Sequence, residues 1–399
     1  MRQTWRWFGP SDEITIDEIR QTGAVGIVSA LHHVPTGSVW TPEEIAKRQR
    51  EIEGPPDAPS GLTWDVVESL PVSEAIKIQS EDCVAHIDAW RTSLRNLAAA
   101  GQKVICYNFM PILDWTRTDL AARMPNGGTA MAFDLIDFAI FDLHILQRKE
   151  AAGEHSAAIQ DAAMERLSQM SDGAKAALAS NIVAGLPGSN DRWTLDDVRV
   201  NLGTYSKMSP ALLRQNLIDF LSEVAPLAQE LGVRLCCHPD DPPFPLLGLP
   251  RVMSTTDDYA TILDAVNLPA SGATFCTGSL GVADGFNPVE FIARLGPRIH
   301  FAHLRNTHRA GPFDGKRVSF HESEHLAGDT DMVATLDALL AEEARRRAAG
   351  RADAEIPMRP DHGQALLGDL DRPMMPGYPL IGRMRGLAEL RGIMAALET

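Results

Sequence analysis

Metal-binding residue types recur at or just after the ends of short apolar runs in this chain. The four candidates are His238, Cys276, His303 and Asp361. Two imidazoles, one thiolate and one carboxylate form a donor set that suits a divalent transition metal. A lone histidine at the end of a strand is more often structural, but four such ends together favour one shared metal site.

The apolar runs predict parallel strands, because helical patterns separate most of them. Eight strands are predicted, at residues 5–8, 24–31, 64–68, 103–109, 233–235, 274–276, 299–304 and 356–360. Eight βα units predict an α/β fold, the TIM (β/α)8 barrel, whose catalytic residues lie at the carboxyl ends of the strands. The alternative is a doubly wound open sheet, but no G-x-G-x-x-G follows the first strand.

One long stretch interrupts this alternation after the fourth strand. Residues 114–209 contain no good strand, are rich in Ala, Glu, Asp and Met, and carry a turn signal at residues 185–190. We therefore predict a helical insertion at residues 114–209. A TIM barrel tolerates such insertions, so we expect residues 1–399 to form a single domain.

Composition limits the classes of partner. The net charge of −16 argues against nucleic acid, whose binding depends on neutralising phosphates. No apolar run is close in length to a membrane span, which needs about 20 residues. The N-terminus lacks the apolar stretch of a secretory signal. The five cysteines form no C-x-x-C motif, so we expect a reduced, cytoplasmic protein.

Other histidines and cysteines near the strand ends are interpreted as core residues. His300 lies three positions before His303, and an odd separation places two strand residues on opposite faces. Cys237 faces away from His238 for the same reason. Cys236 shares the face of His238 but lies one pleat deeper in the barrel.

Arg305 and Asn306 follow His303 directly and are candidate substrate-binding residues. A guanidinium binds a carboxylate through two parallel hydrogen bonds, and an acidic protein needs such a local cation, or a metal ion, to attract an anionic substrate. The alternative is that Arg305 forms a salt bridge at the rim of the barrel.

Several motifs, taken in order, resemble those of the mannonate dehydratase family. The resemblance spans nearly the whole chain, and it includes Trp-Arg-Trp-Phe-Gly at 5–9 and Trp-Asp-Val-Val-Glu-Ser-Leu-Pro at 64–71. The remaining motifs are His-Pro-Asp-Asp-Pro-Pro at 238–243, Gly-Leu-Pro-Arg at 248–251, Cys-Thr-Gly-Ser-Leu-Gly at 276–281, His-Phe-Ala-His-Leu-Arg-Asn at 300–306 and Arg-Pro-Asp-His-Gly at 359–363.

The resemblance implies a TIM barrel of the xylose-isomerase-like kind. It implies dehydration of D-mannonate to 2-keto-3-deoxy-D-gluconate in hexuronate catabolism, with Mn²⁺ or Fe²⁺ as cofactor. Two residues are implied to act as acid and base, His362 and Tyr378. The implied metal ligands are the four residues that the strand ends already indicate, namely His238, Cys276, His303 and Asp361. We also expect a homo-oligomer.

The chemistry of such a dehydration agrees with these residue types. It removes the C2 proton, next to the carboxylate, and expels the C3 hydroxyl, so a Lewis acid, a base and an acid are needed. Histidine has a suitable pKa without tuning. Asp361 and His362 are neighbours, and we expect Gly363 to let the chain turn so that both reach the site.

Two alternatives remain open at this point. The first is a metal-dependent sugar isomerase or epimerase on the same barrel. A non-catalytic protein with a closed structural metal is also compatible with four protein ligands. Because Arg305 and His362 accompany the ligands, we favour an open catalytic site.

Overall fold

Eight parallel strands form a closed barrel in the computed structural model, which describes residues 1–113, 115–184 and 194–398. Around the barrel the strands follow the order β1-β12-β9-β8-β7-β4-β3-β2. The barrel strands are β1 (Arg2–Arg6), β2 (Gly26–Ser29), β3 (Thr63–Glu68), β4 (Val104–Tyr107), β7 (Arg234–Cys237), β8 (Ser271–Cys276), β9 (Ile299–His303) and β12 (Pro357–Arg359). The predicted TIM barrel is confirmed.

Side chains fill the inside of the barrel, and a larger apolar core lies between the strands and the surrounding helices. The inner cluster consists of Val28, Val66, Val104, Cys106, Cys236 and Phe301. The outer core takes the alternate strand residues, such as Ile27, Val67 and Cys237. Strands buried on both faces explain why they appear in the sequence as continuous apolar runs.

The helices have recognisable start and stop signals. Thr41 caps α2, with Pro42 in its first turn, and α9 ends at Gly232, whose φ is 65°. Proline at the first turn and a left-handed glycine at the end are the expected helix boundaries. The helices are α1 (Ile16–Thr22), α2 (Pro42–Glu53), α3 (Glu74–Lys77), α4 (Cys83–Ala99), α5 (Leu135–Ile140), α6 (Ala157–Gln169), α7 (Asp172–Val183), α8 (Leu195–Thr204), α9 (Pro210–Leu231), α10 (Thr256–Ala265), α11 (Thr277–Gly281), α12 (Pro288–Leu295), α13 (Met332–Ala348) and α14 (Leu380–Leu397).

Four further strands form a second, antiparallel sheet that we call the accessory sheet. Its strands are β5 (Asp119–Arg123), β6 (Thr129–Phe133), β10 (Asn306–Asp314) and β11 (Arg317–Ser323), in the order β10-β11-β6-β5. β10 follows the barrel strand β9 almost directly. The accessory sheet is therefore anchored at the carboxyl end of the barrel.

The prediction that residues 114–209 contain no strand is wrong. β5 and β6 lie in this stretch, and α5 to α8 follow them. The exposed positions of β5 alternate with half-buried ones, and its sequence Asp-Leu-Ala-Ala-Arg has little strand propensity. β6 pairs with β11, which is far away in the sequence, and β5 pairs with β6, so this pairing determines both strands. Asp114 and the turn expected at residues 185–190 lie outside the described residues, and the single domain stays a prediction.

Candidate active site and metal centre

The four strand ends that carry the candidate ligands are consecutive in the barrel. β12, β9, β8 and β7 are neighbours, with Cys276 paired with His303 and His303 paired with Arg359. Because the strands are parallel, their carboxyl ends open on the same edge of the barrel. His238 and Asp361 lie just beyond this edge.

Three of the four candidate ligands converge. One donor atom each from His238, Cys276 and His303 lies within 4.8 Å of the others. The two imidazoles face each other, with 3.2 Å between Nε2 of His238 and Nδ1 of His303. The Nδ1 of His238 is 2.7 Å from the carbonyl oxygen of Pro239, to which it donates, so its Nε2 lone pair points into the group.

His303 is supported from behind by a carboxylate at the end of β3. Its Nε2 lies 3.4 Å from Oε2 of Glu68 and 3.2 Å from Nε of Arg359. Glu68 itself accepts from Arg359 at 2.9 Å and forms an ion pair with Arg6 at 3.1 Å. A histidine that binds a metal through one nitrogen usually directs the other to such a carboxylate or a carbonyl.

Cys276 has the surroundings of a thiolate. Burial alone would raise its pKa, but the Arg305 guanidinium and the neighbouring histidines lower the pKa of Cys276 well below its usual value. The sulfur also lies 3.4 Å from the backbone nitrogen of Ser279 and 3.2 Å from its hydroxyl oxygen. A thiolate is the form of cysteine that binds metal ions.

Asp361 borders the group of three but is not part of it. Its Oδ2 lies 3.7 Å from both Sγ of Cys276 and Nδ1 of His303. The same carboxylate forms ion pairs with Arg305 at 2.7 Å and Arg359 at 2.5 Å. Against the cost of burial, Arg359 and other cations nearby lower its pKa well below its usual value.

The turn that brings Asp361 and His362 to the same site lies at Asp361 itself. Asp361 has a φ of 61°, whereas Gly363 is not among the positive-φ residues that we find in the described chain. The expectation that Gly363 supplies the turn is therefore wrong. A β-carbon on Gly363 would lie only 2.8 Å from the backbone nitrogen of Arg383, so this glycine permits a close approach of α14 instead.

His362 and Tyr378 form a buried pair next to the metal-binding group. The Nε2 of His362 lies 3.3 Å from the Tyr378 hydroxyl, and the rings meet edge to face at 5.0 Å. The Nδ1 of His362 lies 3.1 Å from Oε1 of Glu322. Burial raises the pKa of Tyr378, so the phenol keeps its proton.

Arg305 lies in a buried network of charges on the accessory-sheet side of the site. Its guanidinium is bound by the carboxylates of Asp241, Glu322 and Asp361. Arg117 bridges the first two of these acids, at 2.8 Å from each. Opposite charges that face each other at this depth hold one another in place, because an unpaired charge there would be strongly destabilising.

Asn306 has a structural environment. Its amide nitrogen donates to the carbonyl oxygens of His325 and Thr330, and its oxygen accepts from the backbone nitrogens of Thr307 and Thr330. These four contacts use both donors and both acceptor positions of the amide. We therefore reinterpret Asn306 as support for the chain after β9 rather than as a substrate ligand.

Some residues of the site were missed by sequence reasoning. Glu68 ends β3 and follows the same strand-end pattern as the ligands, so that signal could have revealed it. Glu322 and Arg117 belong to the accessory sheet and to the stretch before it, where no strand-end signal exists. The core interpretation of the other residues is confirmed: Cys236 is in the inner cluster, Cys237 is in the outer core, and His300 contacts the carbonyl of Pro269.

The fold and the donor group together define a TIM-barrel protein with a candidate metal centre at the carboxyl ends of its strands. A family model described as D-mannonate dehydratase (UxuA) matches residues 1–399. The chain belongs to this D-mannonate dehydratase family, which confirms the resemblance noted in the sequence.

Curated relatives and one solved structure agree with this assignment. The chain is 52% identical over 398 residues to a mannonate dehydratase of Rhizobium meliloti (strain 1021), covering 100% of this chain and 97% of the relative. It is 55% identical over 399 residues to mannonate dehydratase 1 of Agrobacterium fabrum (strain C58), with the same coverage. The crystal structure of mannonate dehydratase from Streptococcus suis serotype 2 matches with a TM-score of 0.75 at 30% identity, covering 100% of this chain and 93% of that one.

Proposed function

We propose that this enzyme is a hydro-lyase that removes water from D-mannonate and yields 2-keto-3-deoxy-D-gluconate, a step of hexuronate catabolism. The observation that carries the proposal is the full-length family match. The site supports it, because the His362–Tyr378 pair lies beside a group of donors suited to a divalent ion.

The reaction needs a base for the C2 proton and an acid for the leaving C3 hydroxyl. We assign the C2 proton to His362, whose Nε2 faces Tyr378 rather than solvent. Tyr378 is the other acid/base candidate, and it keeps its proton until a partner removes it. After the proton and the hydroxyl have left, the enol tautomerises to the 2-keto acid.

His238, Cys276 and His303 would hold the metal ion, and we propose Asp361 as the fourth protein ligand. When bound, a divalent ion supplies Lewis acidity, which stabilises negative charge on the carboxylate and C2 oxygens of the substrate. Mn²⁺ and Fe²⁺ are the proposed ions. A thiolate donor favours Fe²⁺ over the harder Mn²⁺, so metal analysis of the purified enzyme decides between them.

Arg305 stays a proposed contact for the substrate carboxylate, because it borders Asp361 and lies beside Cys276. Its contacts show that Arg305 also binds three buried carboxylates. A substrate carboxylate would have to share the guanidinium with one of them.

The cellular setting is proposed on separate grounds. All five cysteines are free, which agrees with a reducing, cytoplasmic environment. None of the helices among the described residues combines the length and apolarity needed to cross a bilayer. We propose a small sugar acid as the ligand, a homo-oligomeric assembly, and no nucleic-acid partner.

The test is incubation of the enzyme, loaded with Mn²⁺ or Fe²⁺, with a panel of aldonic acids, scoring the 2-keto-3-deoxy product. We expect turnover with D-mannonate. Aldoses and ketoses belong in the same panel, since conversion of those sugars without loss of water would instead show an isomerase or epimerase.

A further inference from the structure

Glu322 reaches the active site from outside the barrel. It lies on β11 of the accessory sheet, in register with Thr307 of β10, and its side chain is 2% exposed. It shares a strand face with Phe320, which packs on Phe133 of β6. The accessory sheet therefore brings one carboxylate to the edge of the barrel.

One oxygen of this carboxylate, Oε1, accepts from three groups. Arg117 donates to it at 2.8 Å, Arg305 donates at a shorter distance, and Nδ1 of His362 lies 3.1 Å away. Burial alone would raise the pKa of Glu322, but Arg305, His362 and Arg117 lower it to about 2. Glu322 is therefore ionised at neutral pH, and an ionised carboxylate can only accept hydrogen bonds.

We propose that Glu322 is a positioning residue for His362, which fixes the proton of the ring on Nδ1 and leaves Nε2 to act on the substrate. The geometry favours it, because Nδ1 lies within hydrogen-bond distance of the ionised Glu322, whereas Oδ1 of Asp361 is 3.7 Å from Nε2, too far for a hydrogen bond. In a neutral ring the other nitrogen, Nε2, is then an acceptor. Tyr378 donates to that acceptor across 3.3 Å, so Glu322, His362 and Tyr378 form one directed chain.

This inference rests on the proposed role of His362 in the dehydration, and Asp241 provides a matched control. Asp241 binds the same two arginines as Glu322, but its side chain forms hydrogen bonds with Arg117, Arg305 and Ser279, and its influence on His362 is only through its charge. Glu322→Gln and Asp241→Asn each remove one buried negative charge from the same arginine pair. Only Glu322→Gln changes the contact with His362.

The measurements are kcat and KM for D-mannonate, exchange of the C2 proton with solvent deuterium, metal content and thermal stability. We expect both variants to lose similar stability, while Glu322→Gln loses about 10²-fold more kcat than Asp241→Asn, as for a misplaced general base. Its KM should change little, and its C2 exchange should slow in proportion to kcat. Equal losses of kcat in the two variants would overturn the proposal.

A second measurement needs no variant at position 322. Long-range ¹H–¹⁵N spectra of the Zn²⁺-loaded wild-type enzyme report which imidazole nitrogens carry protons, and His362→Asn identifies the signals of His362. A proton on Nδ1 alone supports the proposal, and a bare Nδ1 or protons on both nitrogens overturn it. This result is independent of turnover, so a wild-type enzyme inactive on D-mannonate would reject the proposed function and leave the positioning contact to be judged by the spectra.

Discussion

The Nε2 atom of His238 lies 3.2 Å from the Nδ1 atom of His303, and the other nitrogen of each ring contacts a group that orients it. The carbonyl of Pro239 orients the first ring and Glu68 orients the second. In a neutral His238 ring, the contact with Pro239 leaves a lone pair on Nε2. Burial opposes a charge on His238, but the Cys276 sulfur beside it raises the pKa of His238 to about 10, so binding of a metal ion would displace a proton from Nε2. Two nitrogens and a sulfur arranged in this way share a position for a cation.

Replacement of Cys276 tests whether its thiolate binds the metal. We expect Cys276→Ala to lose most of its bound metal and nearly all activity while it stays folded, because the thiolate is one of three convergent donors. Metal content by elemental analysis and the circular dichroism spectrum check this. Cys236→Ala is the matched control, since Cys236 is a buried barrel cysteine outside the group. Full metal occupancy in Cys276→Ala would remove Cys276 from the ligands.

Asp361→Asn and His362→Asn should separate metal binding from proton transfer. We expect Asp361→Asn to weaken the metal, because an amide is a poorer donor than a carboxylate and because Arg305 and Arg359 lose a shared counter-charge. His362→Asn should keep metal and substrate binding but lose turnover and the exchange of the C2 proton with solvent. A His362→Asn enzyme with near-native turnover would point to Tyr378 as the base.

Arg305→Ala should harm stability as well as substrate binding. The substitution leaves three buried carboxylates without this partner, and removal of one member of a buried ion pair costs about 3–5 kcal/mol. Chemical denaturation measures this loss, and kinetics with D-mannonate measure KM. Arg309→Ala is the control, because Arg309 pairs with Asp284 and Asp329 in a more exposed place. A rise in KM without a loss of stability would mean that substrate binding is the main task of Arg305.

The sequence was informative where a local pattern determines the structure. The barrel strands are short apolar runs buried on both faces, and His238, Cys276 and His303 stand at their ends. Residue type and position were therefore enough to predict that these three side chains come together. The same pattern indicated Asp361, whose role as a ligand stays a prediction, but it did not indicate the left-handed φ of this residue, because Gly363 is the more obvious place for such a backbone.

Long-range pairing explains what the sequence did not reveal. β5 and β6 are weak strands by composition, and the accessory sheet is completed only because β6 pairs with the distant β11. Glu322 and Arg117 are far apart in sequence, and nothing near either residue signals that they meet at 2.8 Å. The amide of Asn306 likewise looked available until its backbone partners were known.

Removal of the metal ion should lower thermal stability. An ion that binds only the folded protein stabilises it by mass action, by about 2.7 kcal/mol when its free concentration is a hundred times its Kd. We expect a chelator to lower the Tm of the wild-type enzyme and added Mn²⁺ or Fe²⁺ to restore it, as followed by differential scanning calorimetry. Cys276→Ala serves as the control, because a variant that holds little metal should show a Tm that barely responds to the chelator. An equal response in both proteins would place the stabilising ion somewhere other than at His238, Cys276 and His303.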